Sequence, residues 1–319
     1  VWRDPADQPQ FARGAVVAIG VFDGVHRGHQ ALLELARSEA DGRNLPLVVV
    51  TFQPHPLAVV RPGSEPPQLA TIRHRVELLA AAGADAVHLL EFTTDLSRTE
   101  PADWVRATLA PMPARAVVVG ENFRFGHQAA GDVALLRSLG DEHGFDVLPV
   151  PLLADPADGP VWSSSRIRAA LAEGDLATVA DGLGRPHTVE GQVVQGDQRG
   201  RELGYPTANL NPAAAGYGGP VALPKDGVYA GWLVLNPHRP GMAHLPAAVS
   251  VGTNPTFEGS GERRIEAYVL DRDDLWLYQQ LVAVEFIERL RDQASFADVE
   301  ELVAQMGLDV RRTRQVLGR

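Results

Sequence analysis

The chain has 319 residues, 45% hydrophobic and 22% charged, with a net charge of −11, a make-up that predicts a globular protein of two domains. The acidic balance argues against a nucleic-acid binder, which needs a basic face to offset phosphates. There is no cysteine, which excludes disulfides, thiolate nucleophiles and cysteine-ligated metals.

Lys225 is the single lysine, and no glycine loop precedes it, so a Walker A phosphate loop is excluded. Apolar runs such as residues 47–50 are far shorter than the ~18–20 residues of a membrane span. No basic segment followed by an apolar core opens the chain, so a cytoplasmic protein without membrane association is expected. The first residue is Val1 rather than Met, so a few residues are expected to be missing from the natural start.

In chain order, residues 15–21 read as a strand and 29–37 as a helix with Leu32, Leu35 and Ala36 on one face. Residues 45–52 form an unbroken apolar run, the pattern of a strand buried on both faces. Residues 71–82 read as helix, 85–92 as strand, 101–109 as helix with proline in its first turn. Strand 115–120, helix 132–143 and strand 145–152 follow. This alternation predicts a parallel sheet with crossover helices, whose ligands sit at the carboxyl ends of the strands. Function is therefore expected in the loops after Val21, Phe52 and Val119.

Residues 163–173 read as a helix with a serine cap, and 182–186 break the pattern. From His187 short β-like runs at 189–194, 227–235, 247–251, 265–270 and 281–287 alternate with turn residues. They predict a small antiparallel β-barrel, closed by two helices over 296–306 and 309–316. Domains are expected at 1–184 and 185–319. The Pro/Gly/Ala-rich stretch 211–224 reads as a long, mobile loop near function.

The first loop runs Gly20-Val21-Phe22-Asp23-Gly24-Val25-His26-Arg27-Gly28-His29. Two histidines flank a glycine where a helix begins, and helix N-terminal N–H groups attract phosphate. Gly28 admits close backbone approach, and imidazoles can donate to phosphate oxygens as charge develops. Thr51-Phe52-Gln53-Pro54-His55-Pro56 follows the next strand; it is a plain turn or a pocket wall. In Gly120-Glu121-Asn122-Phe123-Arg124-Phe125-Gly126, Asn122 can bond adenine or phosphate, and the phenylalanines either stack on a planar ring or belong to the core. Ser163-Ser164-Ser165-Arg166-Ile167-Arg168 is either a simple N-cap or a second anion site.

In the second half three glycines, Gly196, Gly200 and Gly204, precede Tyr205-Pro206-Thr207-Ala208-Asn209. Thr207 and Asn209 point to one side of an extended segment. They can hold Mg²⁺ through oxygen or bond local backbone. Glu266 sits on an otherwise apolar strand and shares a face with Tyr268 and Leu270. It is either solvated at an edge or placed as a general base for an alcohol.

Together the N-terminal motifs resemble the HxGH nucleotidyltransferase superfamily, and more narrowly the FAD-synthetase module of bacterial bifunctional riboflavin kinase/FAD synthetases. The second half resembles the kinase module of that family through Gly204-Tyr205-Pro206-Thr207-Ala208-Asn209, Gly252-Thr253-Asn254-Pro255-Thr256-Phe257 and Val284-Glu285-Phe286-Ile287-Glu288-Arg289-Leu290-Arg291 with Phe296. The resemblance implies a Rossmann-like nucleotidyltransferase domain followed by the barrel. It implies riboflavin, FMN and ATP as ligands, Mg²⁺ with the ATP, phosphorylation of riboflavin, and adenylylation of FMN.

Carried over, His26 and His29 stabilise the adenylyl-transfer transition state and Glu266 is the base of the kinase. Gly20, Phe22, Asp23, Gly24, Gly28, Asn122, Ser164, Ser165, Arg166, Arg168, Gly200, Gly204, Thr207 and Asn209 face ATP, the last two with the metal. Phe52, Pro54, His55, Phe123, Phe125, Asn254, Arg291 and Phe296 face flavin. Gln279 stands where relatives usually have glycine, and Tyr268 where histidine is common. The competing readings are a related adenylyltransferase acting on a nicotinamide or pantetheine phosphate, and a flavin-binding regulator without turnover. The kinase-like half argues against the first and the intact His, Thr, Asn and Glu set against the second. Oligomeric state stays open, since the terminal helices can pack on the barrel or on a second copy.

Overall fold

The computed structural model of the chain describes residues 1–3, 7–11, 13–109, 112–155, 159–196, 204–253 and 263–318. Gly200 and Asn254, expected at phosphate and flavin, lie outside the described residues. The chain divides into two compact units. One is Val1–Gln68, Ile72–Ser164 and Gly218–Pro220; the other is Leu69–Thr71, Ser165–Tyr217 and Val221–Arg319.

The first unit is built on β1 (Ala15–Ile19), β2 (Leu47–Gln53), β3 (Ala86–Glu91), β4 (Ala114–Gly120) and β5 (Asp146–Val150). They form one parallel sheet in the order β3-β2-β1-β4-β5. Strand alternation supplies two cores. Val17 and Ile19 face one side, against Trp104, Leu109 and Leu136. Val16 and Ala18 face the other, against Leu33, Ala36 and Leu79. Thus α1 (Arg27–Arg43) and α3 (Ile72–Ala81) cover one face, and α5 (Pro101–Leu109) and α6 (Val133–His143) the other. Burial on both faces is why residues 45–52 show no polar alternation. Short helices α2 (Pro56–Val60) and α4 (Thr94–Ser97) lie in the connections, and a small ribbon of β6 (Ala154–Asp155) and β7 (Gly159–Val161) follows the sheet.

In the second unit α7 (Ser164–Glu173) and α8 (Leu176–Leu183) precede the barrel. Ile167, Leu171, Val179 and Leu183 share one apolar cluster with the barrel residues Val189, Val249, Ile265 and Phe286. The sequence reading ends its helix at Glu173 and misses α8. This eight-residue helix is set by a cap rather than by long periodicity: the Asp175 carboxylate accepts the Thr178 N–H at 3.0 Å. The barrel closes in the order β10-β11-β12-β9-β8-β13. Its strands are β8 (His187–Val194), β9 (Thr207–Asn211), β10 (Gly227–Leu235), β11 (Ala243–Gly252), β12 (Arg264–Val269) and β13 (Leu281–Arg291).

The two terminal helices expected from sequence are one, α9 (Val299–Leu317), packed on β10, β11 and β13. Asp298 starts it by accepting the Glu301 N–H at 2.8 Å, and Glu301 accepts the Ala297 N–H at 2.9 Å. The helix runs through Gly307, a position that costs roughly 1 kcal/mol relative to alanine. Anchoring beyond it offsets that cost. The nearly buried Asp309 carboxylate accepts Arg291 Nε at 2.9 Å and a guanidinium nitrogen of Arg291 at 2.7 Å, and Gln305 Nε2 at 2.9 Å. Asp309→Ala leaves Arg291 without its bidentate partner. It is expected to lower the stability of the second unit by about 2 kcal/mol, read as a drop in guanidinium midpoint at unchanged slope.

Candidate active sites

The chain order of the first sheet reverses between β1 and β4, the topological switch point where such sheets bind ligands. A cleft of about 400 Å³ opens there. Ile19, Gly20, Phe22, His26, Gly28, His29 and Leu32 line it from the first loop and α1. Gly120, Asn122 and Phe123 line it from the end of β4, and Val150, Pro151, Leu152, Leu153, Val161, Trp162 and Ser163 complete it.

The loop after β1 holds an uncommon backbone. Phe22 has φ 52° and the β-branched Val25 φ 41°, conformations that persist only where surroundings over-determine them. Here they do. Thr51 Oγ1 donates to Val21 O at 2.8 Å, Gln30 Nε2 to Val25 O at 2.9 Å, and Ser164 Oγ to Asp23 O at 2.9 Å. The Phe22 ring is fully buried.

His26 is the N-cap of α1, its Nδ1 accepting the His29 N–H at 3.3 Å. A neutral His26 ring therefore carries its proton on Nε2, a donor. The two imidazoles stack with centroids 3.6 Å apart at 21°. Burial, then the charges of His26 and Arg75, hold His29 well below the usual histidine range. His29 Nδ1 is buried and has no hydrogen-bond partner among the described residues. The stacked pair thus places a mostly neutral His29 ring beside the capping His26, where a phosphate can meet both.

Asp23 departs from the expected phosphate-facing role. Its carboxylate is buried and lies 3.5 Å from Arg75 of α3, itself buried. A carboxylate so placed holds the loop, and would repel phosphate if turned outward. Arg75 also donates to Val21 O at 3.3 Å, to Phe52 O at 3.4 Å and to Gln68 Oε1 at 3.0 Å. The sequence reading missed Arg75 because it sits in the middle of a helix pattern, with no motif around it. Phe52 and Phe125 are core residues: Phe52 packs edge-on to Phe92 at 5.8 Å, and Phe125 stacks on Phe123 at 5.6 Å. Neither lines the cleft, whereas Phe123 does.

His55 caps α2 by accepting the Leu57 N–H at 3.2 Å, directly after Pro54, whose peptide bond with Gln53 is cis. Gly24 is buried within the first loop. Ser165, Arg166 and Arg168 lie on α7 in the second unit and are not among the residues lining the cleft.

In the barrel, strand register brings the kinase candidates together. Glu266 of β12 stands directly opposite Asn209 of β9, and Tyr268 opposite Thr207. Directly paired residues project to the same face. Ile265, Ala267 and Val269 fill the barrel interior, so the four candidates share its outer, half-buried face. Leu270, expected on that face, lies beyond the strand in a turn and is buried. Burial, then Tyr205, raises the Tyr268 phenol above its ordinary value, so it stays neutral beside the carboxylate. A Cβ at Gly196 would collide with the Asn209 amide, which fixes a glycine at that contact. Gly204 turns with φ 81° just before β9.

Arg291, expected at flavin, is held by Asp309 and lies with its guanidinium carbon 5.8 Å from the Phe296 ring centroid. Gln279 adopts φ 64°, the left-handed region that favours glycine, and this accounts for the glycine expected there. The sequence reading also missed a buried cluster in this unit. The Glu190 carboxylate meets His238 Nε2 at 2.7 Å and Thr71 Oγ1 at 3.0 Å.

Paired histidines at the switch point of a parallel α/β sheet, followed by a barrel with a Thr/Asn/Glu face, define a two-part nucleotide-dependent transferase. Residues 8–165 match the family model for FAD synthetase, and residues 183–317 that for riboflavin kinase. The bifunctional riboflavin kinase/FMN adenylyltransferase of Escherichia coli is 34% identical over 306 residues, covering 96% of this chain and 93% of that protein. The Listeria monocytogenes protein of the same description is 34% identical over 302 residues, covering 94% and 91%. A solved structure described as a macrolide-efflux protein from Streptococcus pneumoniae superposes with a TM-score of 0.83 at 30% identity, covering 98% of this chain and 97% of that one. The chain belongs to the bifunctional riboflavin kinase/FMN adenylyltransferase family.

Two outcomes follow from the first site. In an imidazole NMR titration of the unliganded protein, the His29 midpoint falls below 6.5. The unfolded chain protonates His29 at higher pH than the folded one, so this contribution to stability is complete above 6.5 and is lost as pH falls below it. Arg75→Met removes the cation beside the buried Asp23 carboxylate and is expected to destabilise the first unit by about 3 kcal/mol. Adding Asp23→Asn recovers part of that loss in a thermal melt.

Proposed function

We propose that the chain carries out the two reactions of its family, with adenylylation of FMN in the cleft of the first unit and phosphorylation of riboflavin on the Glu266 face of the barrel. The stacked pair His26–His29 at the switch point carries the first assignment. There an oxygen of the FMN phosphate attacks the α-phosphorus of ATP, the bond to the β-phosphate oxygen breaks, and pyrophosphate leaves. His26 Nε2–H and the His29 ring donate to the phosphate oxygens as charge shifts onto the leaving group, and the N–H groups opening α1 add to this. No covalent enzyme intermediate is needed, because positioning and charge stabilisation suffice. Asn122, Gly20 and Gly28 serve ATP, Phe123 and the Pro54–His55 turn serve flavin, and Asp23 serves by holding the loop.

In the barrel Glu266 takes the proton from the primary hydroxyl of the ribityl chain as its oxygen attacks the γ-phosphorus, and ADP leaves. Thr207 and Asn209 fit a magnesium ion that arrives with ATP. They stand two apart on one face of β9 and carry a hydroxyl and an amide oxygen, and among the described residues no cluster of three or more His, Asp or Glu competes for that role. The ion would neutralise phosphate charge. Ser164, Ser165, Arg166 and Arg168 remain assigned to ATP by family resemblance alone, and Arg291 and Phe296 likewise to flavin. We divide the activities at 1–184 and 185–319, in keeping with family matches that end at 165 and restart at 183. Among the described residues no helix is long and apolar enough to cross a membrane, which supports a cytoplasmic enzyme.

Purified protein incubated with riboflavin, ATP and Mg²⁺ is expected to yield FMN and then FAD, with ADP and pyrophosphate released. His29→Ala abolishes FAD formation and leaves FMN formation. Glu266→Ala blocks FMN formation and spares FAD formation from supplied FMN. Each loss is expected to be about 100-fold or more, resolved by chromatography of the flavins. Loss of both activities in either variant, with circular dichroism unchanged, would sink the assignment of separate sites.

A further inference from the structure

The loop between β9 and β10 lies in the kinase half of the sequence, yet Gly218–Pro220 belongs to the first compact unit. Within that unit the three residues are held against the loops of the adenylyl-transfer site. Pro220 O accepts the Gln68 N–H at 2.7 Å. Gln68 Nε2 donates back to Pro66 O at 2.8 Å, and its Oε1 accepts from Arg75 at 3.0 Å. Arg75 in turn holds the carbonyls of Val21 and Phe52 and the carboxylate of Asp23. Gly218, at φ 74°, abuts the Gln53 side chain so closely that a Cβ there would collide with Gln53 Nε2. Gln53 immediately precedes the cis Pro54 and His55.

From these contacts we infer that Gly218–Pro220 is a positioning element of FMN adenylylation. The strap packs on Gln53 from outside and reaches the first loop through Gln68 and Arg75. It thereby fixes the turn Gln53-Pro54-His55 at the end of β2, while the first loop is fixed from the same guanidinium. The inference rests on the assignment of that turn to flavin under the proposed function. Its consequence is that the adenylylation site uses residues from beyond the boundary at 184. A misplacement of about 1 Å in such a turn is enough to change rates about 100-fold, so a three-residue strap can matter to the reaction without touching the reacting atoms.

The test uses the full chain. Gly218→Val drives its branched side chain into Gln53. It is expected to raise KM for FMN in adenylylation about 10-fold or more, with little change in KM for ATP and with riboflavin phosphorylation retained as an internal measure of folding. Gly216→Val is the control, because Gly216 has φ 85° and open space where a Cβ would go; it carries the same backbone strain without the collision. Gln53→Ala alone removes the side chain on which Gly218 packs and is expected to raise KM for FMN in the same direction, with riboflavin phosphorylation again retained.

Hydrogen exchange gives a measurement that needs no variant: in the unmodified protein the Gln68 amide is protected by Pro220 O. An unchanged KM for FMN in Gly218→Val overturns the inference. So does an equal loss in Gly216→Val, an unchanged KM for FMN in Gln53→Ala, or unprotected exchange at Gln68. Full FMN adenylylation in His29→Ala would instead remove the site assignment itself.

Discussion

The first unit depends on a buried cation. Arg75 comes from the middle of α3, and its guanidinium reaches the Val21 and Phe52 carbonyls, the Asp23 carboxylate and Gln68. Arginine suits the place because its planar fork can serve several acceptors from one point and stays charged when desolvated. A buried charge of this kind is costly unless every partner is in position. The two loops that it joins are therefore tied to one geometry. The left-handed conformations of Phe22 and Val25 are tolerated because that geometry is enforced from below.

The same cation has an electrostatic consequence. Burial first, then His26, hold His29 well below the usual histidine range, and this cation adds to them. Two stacked imidazoles 3.6 Å apart cannot both be charged cheaply. His29 thus waits deprotonated, stacked on His26 at a cleft lined by both rings, which suits the site to receive polyphosphate. Had Asp23 pointed into the cleft, as its place in the motif suggested, the field there would be of the wrong sign. Its burial against Arg75 turns an apparent contradiction into support for the loop.

The barrel solves its problem by register instead of by a buried ion. Pairing of β9 with β12 sets Thr207, Asn209, Glu266 and Tyr268 on one outer face, while the residues between them fill the interior. A slip of one residue would send all four inward. What fixes the register is the apolar requirement of the barrel core, so the outer face proposed for phosphorylation is specified by packing on the inside. At the far side, Asp309 anchors α9 through Arg291, which explains how a helix survives a central glycine.

The sequence determined by itself most of what repeats locally. Alternating apolar runs gave the parallel sheet, Pro101 and Asp132 marked helix starts, β10 matched its predicted limits, and the loops at strand ends carried His26, His29 and Asn122 to one cleft. These features were legible because periodicity and caps are encoded within a few neighbouring residues. Only the tertiary structure decided the partners. It showed Asp23 bound to Arg75 fifty-two residues later, Phe52 and Phe125 turned into the core, and one terminal helix in place of two. It also gave residues 218–220 to the first unit. Such choices are made by contacts distant in sequence, through burial of charge and filling of space. No window of the chain records them, because each depends on which other segment arrives at the same point.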